Sequence, residues 1–135
     1  MTIYSIKEVS RLFQLQPSTL RYYEEEQLLT HVLRDEKGRR FYEDKHISRL
    51  KTICCFKNTG MSINQLKQFF TFEEDRLEDV QGILVLLTQQ QQQLVQKIAQ
   101  LNDDLVHMNK KIRFFEARET ALKTGQSLPQ WRDYK

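Results

Sequence analysis

Residues 18–42 contain the side chains whose types and spacing could do chemistry, in the order STLRYYEEEQLLTHVLRDEKGRRFY. Arg21 and Tyr22 fall on the outward side of a short helical pattern, and a basic hairpin with Arg39 and Arg40 follows it. A guanidinium can pair with guanine or hold a phosphate. The combination predicts a helix presented to a DNA groove, with a wing beside it that contacts the phosphate backbone.

Other side chains in and near this stretch have two interpretations each. Tyr23 lies on the inner arc of the same helix, so it could contact phosphate or belong to the core. Ser18 and Thr19 lie near the helix N-terminus and could be caps, phosphate ligands or base readers. Tyr42 could reach the DNA backbone or pack beneath the wing. Lys57 is a candidate for a second backbone contact.

The distribution of charge agrees with a nucleic-acid partner. The chain has 135 residues and a formal charge of +3. Residues 1–60 contain 11 Lys or Arg and 8 Asp or Glu, whereas residues 61–135 contain 10 of each sign. The excess positive charge therefore lies in the half with the hairpin, as phosphate contact requires. A solvated basic hairpin is the alternative.

Local signals predict the elements that must position these side chains. Ser5 and Glu8 have the spacing of a capping box at the start of a first helix, and Pro17 suits the first turn of a second. Two short helices joined by three residues fit a helix-turn-helix. Gly38 can supply the positive φ of a hairpin turn. Third and fourth helices follow, separated by Gly60.

Beyond the fourth helix, apolar residues repeat at heptad spacing from Leu77 to Phe115. Such a seam on one helix needs a partner, and a second copy of the chain is the simplest one. Gln91 is the polar exception and could fix the register or simply be tolerated, and the run 89–93 is interpreted as helix surface. The predicted dimerisation residues are Leu84, Leu87, Leu94, Ile98, Leu101, Leu105, Met108 and Ile112.

Several classes of protein are disfavoured. The sequence has no signal-peptide run and no long apolar segment, so we expect a cytoplasmic protein without a membrane partner. It has no nucleotide-binding glycine loop and no nucleophile paired with a base, so an enzyme is not expected, nor is a cofactor. Adjacent Cys54 and Cys55 diverge on a helix, and the three histidines are scattered and expected at the surface. No metal site is therefore predicted.

Six segments together resemble the MerR family of bacterial transcription regulators: YSIKEVSRL at 4–12, TLRYYE at 19–24, LL at 28–29, RDEKGRRFY at 34–42, ISRL at 47–50 and GMSINQL at 60–66. The resemblance implies a mainly α fold. Its parts would be a winged helix-turn-helix DNA-binding domain at 1–72, a dimerisation helix at 73–120 that forms an antiparallel coiled coil in the dimer, and a tail at 121–135.

The resemblance also implies a function. Members bind double-stranded promoter DNA as homodimers, at an inverted repeat where RNA polymerase also binds, and change transcription by distorting the promoter spacer. This chain departs from the family pattern at two turns. The link at 13–15 lacks a small residue, and Glu26 and Gln27 replace the usual hydrophobic residue and glycine before Leu28.

The effector is a separate question, and Cys55 is the residue that bears on it. Cys55 matches the cysteine in the third helix of the aldehyde- and thiol-stress-responsive branch of the family. Lys51 lies one turn before it, and a nearby ammonium favours the thiolate. We hypothesise that Cys55 senses an electrophile. Cys54 lies on the apolar arc and is expected to be an inert thiol.

Two alternatives to cysteine sensing stay open. A small-molecule pocket could form between the fourth helix and Trp131 or Tyr134 of the tail, although these rings could instead pack on the end of the coil. The protein could also be a DNA-architectural factor that senses nothing.

Overall fold

The computed structural model describes residues 2–74 and 80–134. Its contacts divide the chain into two units, residues 1–91 and 92–135, and the division falls inside the last long helix. The elements in chain order are β1 (Ile3–Ser5), α1 (Ile6–Phe13), α2 (Pro17–Glu25), β2 (Leu33–Arg34), β3 (Arg40–Glu43), α3 (Asp44–Asn58), α4 (Ile63–Glu74), α5 (Val80–Thr124) and a 3-10 helix (Trp131–Asp133). The mainly α fold with a small wing is as predicted.

The helix-turn-helix begins at the predicted capping box. Ser5 Oγ accepts a hydrogen bond from the Glu8 N–H at 3.2 Å, and the Glu8 carboxylate accepts one from the Ser5 N–H at 3.3 Å. α1 ends at Gln14, whose φ of 54° is left-handed. Pro17 then opens α2, where its missing N–H costs nothing. The link between the helices is therefore a tight turn made without glycine.

The wing is a three-stranded antiparallel sheet with strand order β1-β3-β2. The hairpin of β2 and β3 is confirmed, and Gly38 has the expected positive φ of 79°. β1 was not predicted, because a strand of three residues carries too short a pattern. It pairs Tyr4 with Tyr42. This pairing holds the start of α1 beside the wing.

A single core joins α1 to α4 and the sheet within the first unit. The histidine prediction is wrong for His46, which is 2% exposed. Its Nδ1 accepts from the Glu43 N–H at 2.9 Å, so Nε2 carries the proton and donates to the Thr30 carbonyl at 2.8 Å. The most deeply buried residues of this core are Val9, Leu20, Leu28, Leu29, Tyr42, Leu50, Ile53, Met61 and Leu66.

α4 and the first part of α5 complete this unit. Ser62 and Gln65 form a reciprocal capping box, with the Gln65 N–H 3.1 Å from Ser62 Oγ and the Ser62 N–H 2.8 Å from the Gln65 side chain. Leu86 of α5 is buried in the same core. Gln90 is also buried, so the interpretation of residues 89–93 as helix surface is wrong at this position.

In the second unit the chain folds back on the end of α5. The helix stops before Gly125, where φ is 71°. Trp131 and Tyr134 then stack with their centroids 6.4 Å apart, and each ring meets Phe114 edge-on at 5.5 Å. Lys111 Nζ lies 3.7 Å from the Trp131 ring centroid. The tail rings therefore pack on the coil end, one of the two alternatives.

Some predictions fall outside these observations. Leu77, the first residue of the heptad series, lies outside the described residues. The domain limits at 72/73 and 120/121 stay predictions. Among residues 2–74 and 80–134, none of the helices combines the length and apolar character needed to cross a membrane.

Candidate nucleic-acid interface

The outward face of α2 carries the residues predicted to contact DNA. Arg21 is exposed, and Tyr22 is 42% exposed. Leu20 and Tyr23 point the other way and belong to the core. Burial raises the pKa of Tyr23, with smaller contributions from Cys54 and Tyr22. Of the two interpretations of Tyr23, the structure shows the core one.

Ser18 and Thr19 are not helix caps. The residue before α2 is Gln16, with an extended backbone, and its side chain makes no capping hydrogen bond. Ser18 is exposed in the first turn, and Thr19 is half-buried beside it. A helix N-terminus presents unpaired N–H groups that attract anions. Contact of these two residues with phosphate or base edges stays a prediction.

The tip of the wing is fixed by Asp35. Its carboxylate accepts hydrogen bonds from the Lys37 N–H at 3.0 Å, the Arg39 N–H at 2.8 Å and the Arg39 Nε at 2.7 Å. Loss of hydration would raise the pKa of Asp35, but the hydrogen bonds from Arg39 outweigh it and lower that pKa. The Arg39 side chain is still 66% exposed, so its guanidinium is oriented and accessible.

Arg40 is engaged differently from Arg39. Its Nε lies 2.6 Å from a Glu24 carboxylate oxygen, and its side chain is 18% exposed. Arg34 approaches the same carboxylate at 3.3 Å. Arg40 therefore forms an ion pair with α2, and Arg39 is the more accessible of the two predicted wing arginines.

A groove of 590 Å³ collects the cations of three elements. Arg21 of α2 lines it together with Arg39 and Arg40 of the wing and Lys7 of α1. Lys7 was missed by the sequence analysis. A signal existed, because a cation in the first turn of a helix opposes the helix dipole and so needs another reason to be there. The groove could hold a phosphate chain.

The remaining two predicted DNA contacts lie elsewhere. Tyr42 is fully buried, and its hydroxyl has no hydrogen-bond partner among the described residues. Burial raises its pKa. Of the two interpretations of Tyr42, the structure therefore shows packing beneath the wing, and the buried side chain is not accessible to DNA. Lys57 is exposed in the last turn of α3, and its DNA contact stays a prediction.

The two cysteines differ in the way that the helical pattern predicted. Cys54 is partly buried, and burial raises its pKa. Cys55 is exposed. Among the residues that the structure describes, no group of His, Cys, Asp or Glu side chains could hold a metal ion.

Comparisons with known proteins decide the family. Residues 4–73 match the family described as MerR HTH family regulatory protein, and residues 47–110 match the family described as MerR, DNA binding. The chain belongs to the MerR family. The protein is therefore a DNA-binding transcriptional regulator and not an enzyme.

Its relatives agree with this assignment. An HTH-type transcriptional regulator of Haemophilus influenzae is 30% identical over 128 residues, which cover 94% of this chain and 95% of the relative. The regulator ZntR of Escherichia coli is 25% identical over 111 residues, covering 79% of each chain. The regulator AdhR of Bacillus subtilis is 32% identical over 92 residues, covering 68% of this chain and 66% of AdhR.

Solved structures extend the likeness to the fold. HiNmlR, a MerR family regulator lacking the sensor domain, was solved bound to promoter DNA. It superposes with a TM-score of 0.77 at 30% identity, covering 93% of this chain and 97% of HiNmlR. A MerR family regulator from Bacillus thuringiensis superposes with a TM-score of 0.71 at 31% identity, covering 83% and 98%.

Proposed function

We propose that this regulator binds an inverted-repeat promoter element as a homodimer and changes transcription by distorting the promoter spacer in response to an effector. The observation that carries the proposal is the apolar series on α5. Seven residues at the predicted a and d positions are at least half exposed in the single chain: Leu84, Ile98, Leu101, Leu105, Met108, Ile112 and Phe115. An apolar surface of this extent marks an interaction site.

A second copy of the chain is the partner proposed for this surface. A heptad seam matches itself, and homodimers with twofold symmetry are the commonest assemblies of soluble proteins. Leu87 and Leu94, half-buried in the single chain, continue the same series. The antiparallel arrangement rests on resemblance to the family.

Twofold symmetry also predicts the form of the DNA site. A dimer presents two copies of α2 and the wing, so its target is an inverted repeat with half-sites spaced by the dimer. HiNmlR, the neighbour solved on promoter DNA, supports a promoter as the target. RNA polymerase at that promoter would then respond to a change in the shape of the spacer.

The proposed effector is an electrophile, such as an aldehyde, that reacts with Cys55. A thiolate adds to a carbonyl carbon while the oxygen takes up a proton, so the step needs no other reactant. The exposure of Cys55 and the partial burial of Cys54 support this choice between the two thiols. The packing of Trp131 and Tyr134 on α5 gives no support to a ligand pocket at the tail.

One experiment tests the assembly and the target. Sedimentation of the chain, alone and with a duplex carrying the inverted repeat, should give a dimer and one dimer per duplex. Hydroxyl-radical footprinting should then protect two symmetric half-sites. A monomer that stays a monomer on the duplex would contradict the proposal.

A second experiment tests the effector. A promoter–reporter fusion is compared in cells that carry the wild-type chain, Cys55→Ser or Cys54→Ser, with and without a reactive aldehyde. Induction should be lost in Cys55→Ser and kept in Cys54→Ser. Equal induction in all three strains would contradict sensing by either cysteine. No induction in any strain would favour the alternative of a DNA-architectural factor that senses nothing.

A further inference from the structure

The carboxylate of Glu24 connects α2 to the wing. It accepts a hydrogen bond from Arg40 Nε at 2.6 Å on one oxygen. The guanidinium of Arg34 lies 3.3 and 3.4 Å from its two oxygens. Arg40 belongs to β3 and Arg34 to β2, so a side chain of the helix contacts both strands of the hairpin.

The two arginines are also partners in the sheet. The register of β2 and β3 places Arg34 directly opposite Arg40. Like charges at directly opposite positions destabilise a strand pair. The carboxylate of Glu24 contacts both cations and so offsets part of their repulsion. The hairpin therefore obtains part of its charge balance from α2.

Glu24 occupies an unexpected place for a DNA-binding helix. It lies one turn after Arg21, and Arg21 and Arg40 line the same basic groove. A carboxylate near the phosphate backbone lowers affinity for DNA through repulsion. We propose that Glu24 is a positioning residue for DNA binding: it holds the wing against α2 through Arg40 and Arg34, so that the exposed Arg21 and Arg39 meet the duplex together.

The electrostatics support a lasting contact. Partial burial alone would raise the pKa of Glu24, but hydrogen bonds and charge from Arg40, and then from Arg34, outweigh it and lower that pKa. The carboxylate is therefore ionised throughout the neutral range. The side chains of Arg40 and Glu24 are partly buried, at 18% and 20% exposure, so solvent screens this pair less than a fully exposed pair.

The inference rests on the proposed contact of α2 and the wing with DNA, and Glu24→Gln tests it. The substitution keeps the shape of the side chain and removes a negative charge. Charge alone predicts tighter binding to duplex DNA. Positioning predicts weaker binding, by about tenfold or more, because a loosened wing must be ordered at a cost when DNA binds.

Glu25→Gln is the matched control. Glu25 is the next residue of α2 and is exposed. The Glu25→Gln substitution removes the same charge from the same helix, so the affinity for duplex DNA should be unchanged or higher. If neither the wild type nor Glu25→Gln binds the inverted repeat, the result contradicts the proposed function itself and not only the role of Glu24.

Footprinting separates positioning from a loss of fold. In Glu24→Gln, protection at the positions that the wing contacts should be lost while protection under α2 persists. Arg40→Gln should give the same partial footprint, and the double variant should bind no more weakly than either single one. Unchanged or tighter binding, or an even loss of protection along the whole site, would overturn the proposal.

Discussion

Gln90 of α5 donates a hydrogen bond from Nε2 to the Thr59 carbonyl oxygen, 2.9 Å away, and approaches Thr59 Oγ1 at 3.3 Å. Thr59 ends α3, and its N–H lies 3.3 Å from the Cys55 carbonyl. Gln90 is 6% exposed. A side chain of α5, the predicted dimerisation helix, therefore caps the C-terminal end of α3, the helix that contains Cys55. Both residues lie in the first unit.

Replacing Gln90 by Ala should destabilise the protein by about 1–2 kcal/mol, because a partly buried carbonyl loses its donor. Urea unfolding at one fixed protein concentration measures the change. Gln93→Ala is the matched control, since Gln93 is exposed on the same helix, and it should shift the midpoint little. Equal midpoints for the two variants would show that the cap carries no stability.

Local signals made much of the fold predictable from sequence. The capping box at Ser5, the turn at Gly38 and the heptad series depend on residues within about two turns of one another. The family resemblance then supplied their arrangement. The outward face of α2, with Arg21 and Tyr22, followed from helical spacing alone.

What was missed depends on partners far apart in sequence. β1 pairs Tyr4 with Tyr42, and Gln90 meets Thr59 across 31 residues. The ion pair of Glu24 and Arg40 joins residues that are 16 positions apart. Spacing along one helix cannot choose such partners, because they are set by how the elements pack. The burial of His46 belongs to the same class.

Arg21→Ala should lower specific binding to the inverted repeat by about ten- to a hundredfold if the guanidinium reads guanine, since a bidentate base contact contributes about 1–3 kcal/mol to discrimination. Binding to unrelated duplex should change much less. If Arg21 holds a phosphate instead, both affinities fall, and the slope of log K against log salt becomes shallower by about 0.9 for each phosphate that the protein no longer neutralises. Titrations at several salt concentrations distinguish the two roles.

Arg118→Ala provides the control for the Arg21 titrations. Arg118 is an exposed cation on α5, outside the groove that contains Arg21. Its removal changes the net charge equally, so it measures the effect of charge alone. A decrease in affinity as large as that of Arg21→Ala would remove the case for a direct contact by Arg21.

The exposed and the partly buried thiol should react at different rates. Cys54→Ser, which keeps the exposed Cys55, should react with a disulfide reagent at about pH 8 at least about tenfold faster than Cys55→Ser. Burial disfavours the thiolate of Cys54 and raises its pKa, so the reaction rate of Cys54 should go on rising to a higher pH than that of an ordinary thiol. Both variants unfolded in urea should react alike. Equal rates in the folded proteins would contradict the assigned difference in exposure.

Leu101→Ala should weaken the proposed dimer. Leu101 is 57% exposed in the single chain and lies at a d position of the seam. Burying one leucine contributes about 2 kcal/mol, and a dimer contains two, so the dissociation constant should rise about a thousandfold. Asn102→Ala, at the neighbouring exposed position, should leave it unchanged. Sedimentation equilibrium measures both, and an unchanged constant for Leu101→Ala would place the interface elsewhere.

Gln27→Gly should stabilise the protein, although glycine usually does the opposite. Gln27 has a φ of 62°, in the left-handed region that strains a residue with a Cβ by about 1 kcal/mol or more. Glycine removes that strain but loses more backbone entropy on folding, so we expect a net gain of about 0.5 kcal/mol. Gln68→Gly, at an exposed position inside α4, should cost about 1 kcal/mol. Both variants replace glutamine by glycine, so changes of opposite sign in the free energy of unfolding would be due to the backbone conformation at each position. Urea unfolding measures both changes. A loss of stability in both variants would show that the left-handed conformation of Gln27 is not strained.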